Sequence, residues 1–341
     1  MTKILIVKMS ALGDILHTLP AVTEALKADP DLIIDWLCEE PFSDIARLHP
    51  GIQQVIPHGR LRWKKQRLAM ATLKEQWSFY RWLREQDYDL VIDAQGRIKS
   101  ARVAWLSGAP VVGVDSDCAT DSETRFFYKT GYSVSASNAI DKTRQLFSQA
   151  LNYPMSGAAD FGIDINALDE CPEQWKNHLV FLHGTTWDSK HWPEEYWVEL
   201  LKLAKQADKK VLLPWGSAKE QDRAQRLVDK AGWGEVLPKC SLWKLSSIIA
   251  HSSGAVGVDT GLMHVAAGIG IPTVSIFGST SVVLTGAMGK QVTNLQSSYE
   301  CSPCRLKQCP KLNRQDIPPC YEYLSAQYVF DALMELQGHS L

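Results

Sequence analysis

The sequence predicts an α/β protein made of two sheet domains in tandem, and three observations carry that expectation. Short, almost wholly apolar strands alternate with amphipathic helices, the pattern of a parallel sheet covered by helices. The pattern breaks over residues 151–173 into Pro, Gly, Ala and Asp, and the same alternation restarts at Leu179. A chain of 341 residues is also long enough for two ordinary domains. The expected division is a first domain over 1–165, a second over 166–324, and a closing helix within 325–341 that can pack back on the first domain. One large α/β domain with an insertion is the alternative.

The run over residues 3–7 is β-branched and apolar and reads as a buried strand. After a loop over 9–13, Ile15, Leu16, Leu19, Val22 and Leu26 recur at helical spacing, so a helix is expected from Asp14, with Pro20 kinking its early turns. Strands follow over 32–37 and 54–57, a helix over 68–86, and strands over 90–93 and 111–114. In the second half, strands over 179–182, 210–213, 254–258 and 273–277 alternate with helices over 193–207, 220–231, 242–251 and from 263. A last helix is expected over 325–336. Two such domains suggest a ligand cleft between them.

Charge is nearly balanced, 36 basic against 38 acidic residues, which argues against a nucleic-acid binder. The apolar fraction of 45% suits a globular chain and not a disordered one. No stretch is apolar and long enough to span a bilayer, and the opening MTKILIVKM passes into a loop without the cleavage region of a secretory signal. A cytoplasmic protein is expected, with most of its eight cysteines reduced.

Chemistry-bearing residues gather where strands end. The loop KMSALGDILH brings Asp14 beyond the first strand, where open α/β sheets place ligands. Asp14 fits a general base and equally a first-turn helix acid, and His17 can share its face. In FLHGTTWDSKHWPEEYW, Thr185, Thr186 and Lys190 offer donors suited to a diphosphate. In GVDTGLMHVAAGIGIPTVSIFG, a strand delivers Asp259, Thr260 and Gly261 to a helix start, with His264 one turn on; a simple capping role for Asp259 and Thr260 is the alternative. Glu220 follows PWGSAK and fits either a helix cap or a ribose contact. The stretch HGRLRWKKQR concentrates charge at Arg60, Arg62 and Lys64, which suits a phosphorylated or carboxylated acceptor or a solvated face, and its tryptophan fits sugar stacking or membrane-surface contact.

Taken together, ILIVKMSALGDILHTLPA, VIDAQGRIKSA, FLHGTTWDSKHWPEE, LPWGSAKEQDRA and VGVDTGLMHVAAG, in this order over nearly the whole chain, resemble the lipopolysaccharide heptosyltransferases, and within them the heptosyltransferase I group. The resemblance implies a GT-B fold, two Rossmann-like domains facing across a cleft, with the acceptor on the first and the ADP-sugar on the second. It implies inverting transfer of heptose from ADP-heptose to a Kdo residue of Kdo-lipid A, by a protein peripheral on the cytoplasmic face of the inner membrane. Asp14 falls on the family's catalytic base. Thr185, Thr186, Lys190, Glu220, Asp259, Thr260, Gly261 and His264 fall on its donor site, and Arg60, Arg62 and Lys64, with Lys99, on its acceptor region. The family type generally needs no metal for catalysis, and no obligate protein partner or nucleic acid is implied. Heptosyltransferase II, a protein-modifying heptosyltransferase and a non-catalytic sugar-nucleotide scaffold are the alternatives.

Two features depart from the heptosyltransferase I pattern. After Phe277 the chain reads GSTSVV, where the family more often has an acid, and CSPCRLKQCPKLNRQDIPPC looks more like the heptosyltransferase II group and some protein-modifying relatives. Cys301 and Cys304 have the two-residue gap that lets two thiolates share an ion, and Cys309 and Cys320 can complete a structural zinc or iron site away from the catalytic centre. Free thiols and disulfides are the alternatives.

Overall fold

The computed structural model describes residues 1–312 and 317–338. The chain divides into two compact units, Met1–Asp164 and Ile165–Leu341.

The first unit runs β1 (Lys3–Val7), α1 (Leu12–Leu16), α2 (Leu19–Ala28), β2 (Ile33–Glu39), α3 (Ser43–Ala46), β3 (Gln54–His58), α4 (Arg60–Lys65), α5 (Met70–Arg84), β4 (Leu90–Asp93), α6 (Ile98–Leu106), β5 (Val111–Val114), β6 (Thr130–Tyr132) and α7 (Ala139–Leu151). All six strands are parallel, in the order β3-β2-β1-β4-β5-β6. Ile4 to Val7, Val91 and Ile92 are fully buried, as strands covered on both faces must be.

The second unit runs β7 (Leu179–Leu182), α8 (Glu194–Gln206), β8 (Val211–Leu213), α9 (Ala218–Ala231), β9 (Glu235–Val236), α10 (Leu242–Ala250), β10 (Gly254–Val258), α11 (Gly261–Ile269), β11 (Thr273–Phe277), α12 (Val282–Thr285), β12 (Val292–Gln296) and α13 (Ala326–Gly338). Its parallel order, β12-β11-β10-β7-β8-β9, repeats the first once strands are counted from each unit's own start. Both are doubly wound, Rossmann-like sheets, as expected. The order reverses between β1 and β4 in one and between β7 and β10 in the other, so the loops leaving those strands are the places where such sheets bind ligands. Gly257 allows the second of these sites to close tightly: a Cβ there would stand 3.0 Å from Met263 on α11 and 3.1 Å from Leu182 on β7.

Some expectations change. Pro20 sits in the first turn of α2, where its missing N–H costs nothing, and the single expected helix is two, α1 and α2. The basic stretch forms a helix of its own, α4. The closing helix, α13, packs into the second core: Val329, Phe330 and Leu333 bury with the cluster that holds Leu179, Phe181 and Val256.

Candidate functional site

In the first unit the loops after β1 and β4 are stitched together. Gln95 accepts from the Met9 amide at 3.0 Å and donates to the Ser10 carbonyl at 2.9 Å. Lys99 donates from Nζ to Ser10 Oγ at 3.0 Å. Beneath them Asp93 is fully buried and accepts from Tyr128 Oη (2.7 Å), Ser100 Oγ (2.9 Å) and the Gln95 amide (2.9 Å). Burial raises its pKa against the pull of those bonds, so Asp93 is a framework group.

Asp14 is exposed on α1, and one carboxylate oxygen accepts from the Ala11 amide at 3.0 Å. It therefore is the first-turn acid that the sequence allowed, held at a strand-end loop. His17 is buried, not a partner on an exposed face. Lys99 has its pKa lowered first by burial and then by Arg60 and Arg97, while Glu39 and Asp14 act in the opposite sense. Asp14, Lys99, Arg60, Arg97 and Glu39 thus share one electrostatic neighbourhood. Glu39 is buried and accepts from Arg60 Nη1 at 3.0 Å, which fixes that guanidinium.

The other expected acceptor residues lie on the same short helix as Arg60. Arg62 is occupied on the surface by Glu40 (2.9 Å) and Glu75 (2.7 Å), and Lys64 is exposed on α4. Trp63 is buried, edge-on to His58 at 4.8 Å and to Phe79 at 5.7 Å, so it is a packing residue and offers no exposed face to a sugar or a lipid.

The second unit assembles its expected residues more tightly. Lys190 Nζ lies 2.8 Å from Asp259 Oδ2, and His264 Nε2 lies 3.7 Å from Oδ1. Thr185 Oγ1 donates to the Asp259 carbonyl at 3.2 Å. Burial would raise the Asp259 pKa, but His264 and the Lys190 ammonium overcome it and hold the carboxyl well below the usual carboxylate range. Lys190 also lies over the Trp187 ring, 4.7 Å from its centroid, so aromatic face and carboxylate together aim the ammonium. Thr260 begins α11 without a side-chain cap, followed by Gly261.

These loops border a pocket of about 820 Å³ lined in part by Thr185, Thr186, Ser217, Glu220, Arg223 and Arg226. Glu220 closes a reciprocal cap on α9: its Oε2 accepts from the Gly216 (2.8 Å) and Ser217 (2.9 Å) amides, and its own amide donates to Ser217 Oγ. Gly184 is needed opposite, since a Cβ there would stand 2.7 Å from Glu220 Oε1. Arg223, one turn along α9, is inward: it donates to the Trp192 carbonyl at 2.7 Å, contacts His191, and lies 3.8 Å from Glu194. Burial, then Arg223, lower the pKa of His183 to about 3 and of His191 to about 4, so both rings stay neutral near neutral pH. Glu39, Arg223 and Glu194 were not found in the sequence, because a charged residue's burial leaves no local signal there, and exposed Arg97 reads as an ordinary surface charge; the spacing of Arg223 from Glu220 was the one available hint.

The cysteine segment packs against the loop that carries Thr185 and Lys190. Cys309 lines the same pocket, the Ser189 amide donates to the Lys307 carbonyl at 3.1 Å, and Ser189 Oγ bonds Ser279 Oγ at 3.0 Å. The divergent GSTSVV turn thus serves as the bridge, its Ser279 carbonyl also accepting from the Arg305 amide at 2.7 Å. Among the described residues no group of three or more His, Cys, Asp or Glu is placed to hold an ion, and Cys301, Cys304, Cys309 and Cys320 form no disulfide. Burial, and then the neighbouring Cys309, Cys301 and Cys304, push the Cys320 thiol up to about 12.

Residues 76–314 match the family described as glycosyltransferase family 9 (heptosyltransferase). Lipopolysaccharide heptosyltransferase 1 of Pseudomonas aeruginosa is 43% identical over 310 residues, 90% of this chain and 87% of that one. The solved structure of the Escherichia coli heptosyltransferase WaaC with ADP-2-deoxy-2-fluoro heptose superposes with a TM-score of 0.82 at 34% identity, covering 98% of this chain and 99% of the other. Lipopolysaccharide heptosyltransferase 2 of E. coli is more distant, 24% identical over 301 residues, 82% of this chain and 83% of that one. Pairwise identity over most of the chain, the family match and the paired Rossmann-like sheets agree, and the chain belongs to glycosyltransferase family 9, the heptosyltransferases.

Proposed function

We propose that this protein transfers heptose from ADP-heptose to a Kdo residue of Kdo-lipid A, the first heptose addition of the lipopolysaccharide inner core. The observation that carries the reading is the cluster of Lys190, Asp259, Thr185 and His264 at the switch point of the second sheet, beside a pocket with Glu220 on its wall. Asp259 holds the Lys190 ammonium in place before a donor arrives. The lysine, His264 and the first amides of α11 then offset the charge that grows on the departing ADP. Glu220, already set by two backbone amides, accepts from the donor ribose. Asp14, the exposed carboxylate of the first unit, removes the proton from the acceptor hydroxyl as it attacks the anomeric carbon. Arg60 and Lys99, held by Glu39 and Ser10, receive the acceptor's anionic groups.

The likeness to heptosyltransferase 1 of P. aeruginosa, at 43% against 24% for heptosyltransferase 2 of E. coli, supports the first addition over the second. The test is transfer from ADP-heptose to Kdo-lipid A and to heptosyl-Kdo-lipid A, with the product linkage determined. Turnover with the first acceptor is expected. Turnover confined to the second would reassign the enzyme, and ADP-heptose binding without turnover on either would make it a scaffold.

A further inference from the structure

Residues 60–84 carry eight basic side chains and one acid, in a chain whose formal charge is −2. The one acid, Glu75, is occupied by Arg62. The same segment holds several of the most exposed large apolar side chains in the first unit: Leu68 is 90% exposed, Met70 67% and Trp77 63%, with Leu61 and Leu73 also exposed.

The helix explains how this can be. On α5, Thr72, Phe79 and Leu83 fall on one face, and Leu83 is buried in the core with Phe79 packed against it. Met70, Leu73, Lys74, Trp77 and Arg81 follow the three-and-four spacing of the opposite face, and all five are exposed. That outer face is apolar along its middle and cationic at its flanks, with the Arg81 guanidinium over the Trp77 ring at 4.6 Å. The segment entering it adds Lys64, Lys65, Arg67 and Leu68, all exposed. A face meant only for water has no use for Leu68, Met70, Leu73 and Trp77 side by side.

We infer that the outer face of α5, with residues 64–68 before it, is a docking surface for an anionic lipid bilayer. The lysines and arginines meet acidic headgroups, while Leu68, Met70, Leu73 and Trp77 enter the headgroup–acyl boundary, the combination by which surface helices lie on membranes. The lipid character of the acceptor proposed above supplies the reason for such a surface. The binding measurement itself uses no substrate, so its failure and the failure of the proposed reaction are distinguishable.

The test is co-sedimentation of the full chain with vesicles of phosphatidylcholine alone or mixed with phosphatidylglycerol, at low and high salt. Wild-type protein is expected to pellet with the anionic vesicles, to be released by salt, and to ignore neutral ones. Replacing Lys65, Arg67 and Lys74 together by Gln should lower partitioning on the order of a hundredfold. The triple variant Leu68→Ser, Met70→Ser, Trp77→Ser should lower it to a similar extent while melting like wild type, because these side chains are exposed. Both variants should retain turnover on a de-acylated, water-soluble acceptor and lose it on acceptor embedded in vesicles. Wild-type protein that ignores anionic vesicles, or partitioning that survives both variants, overturns the inference. So does concentration-dependent dimerisation abolished by the apolar variant, which would assign the face to a second copy of the chain.

Discussion

The two switch points solve different problems with the same backbone. In the first unit the aspartate after the opening strand, Asp14, is exposed, and one of its oxygens accepts from the nearby Ala11 amide. In the second, Asp259 is buried, faces Lys190 and His264, and titrates far below an ordinary carboxylate. A carboxylate that must take up a proton cannot be locked in an ion pair. One that must aim a lysine gains from being so locked. Parallel sheets of equal order thus hold two aspartates that differ both in burial and in their cationic partners.

The sharpest break of this contrast is Asp14→Asn. It should lower turnover roughly 100-fold to 10,000-fold, the usual loss for a missing proton acceptor. The melting temperature should barely move, since the side chain is exposed, and ADP binding should persist. Turnover within a few-fold of wild type would remove the base assignment. Asp259→Ala should behave in the opposite way. It leaves a largely buried ammonium without its counterion, so stability should fall by about 3 kcal/mol in denaturant titration. The Kd for ADP should rise too; an unchanged melt together with unchanged ADP affinity would place Asp259 outside the donor machinery.

A finer break separates two arginines on α4. Arg60→Ala should raise the acceptor KM and leave the donor KM alone, because Glu39 fixes that guanidinium in the neighbourhood of Lys99 and Asp14. Arg62→Ala removes a pair on the surface and should leave the melting temperature nearly unchanged, with little effect on either KM. Equal acceptor defects in the two variants would erase the distinction.

A last contrast is a pH dependence. His49 and His58 in the first unit are lowered to about 4, and His183 and His191 in the second to about 3 and about 4, each by burial first. A histidine depressed in the folded state binds its proton in the unfolded chain first. Its contribution is therefore complete above the unfolded value of about 6.5 and is lost as pH falls toward the folded value. Asp259 has the same sign but a lower window, losing its contribution only below an unfolded value of about 3.9. Unfolding free energy should therefore decline from about pH 6.5 toward 4, before any contribution from Asp259, and His183→Gln should flatten that decline. A curve level across that range would mean that these rings are charged in the native protein.

The central strands were legible because fully covered parallel strands read as unbroken apolar runs; residues 4–7 and 179–182 have no polar member. The site loops were legible because glycine, threonine and acid follow such runs directly. The edge strands β6, β9 and β12 were not, being short and only partly buried. Helix α4 was hidden because its charges mask one buried tryptophan. Long-range relations were hidden altogether: nothing near residue 189 announces that its partners lie past residue 278, and nothing near Cys309 announces that it lines the pocket of Thr185.

Those long-range bonds set an order of assembly during synthesis. The Tyr321 hydroxyl donates to the Ser189 carbonyl at 3.0 Å, the Trp192 indole donates to the Leu324 carbonyl at 2.9 Å, and α13 fills the core beneath β7 and β10. The first unit can close once Asp164 has left the ribosome, since its strands and helices are then all present. The donor loop cannot reach its final form until residues 306–333 have emerged, more than 110 residues after it was made. Over that interval the nascent chain carries a finished first unit and an unfinished second unit with apolar strands still uncovered. A pause or truncation within that span would leave a protein that is folded at one end and prone to aggregate at the other.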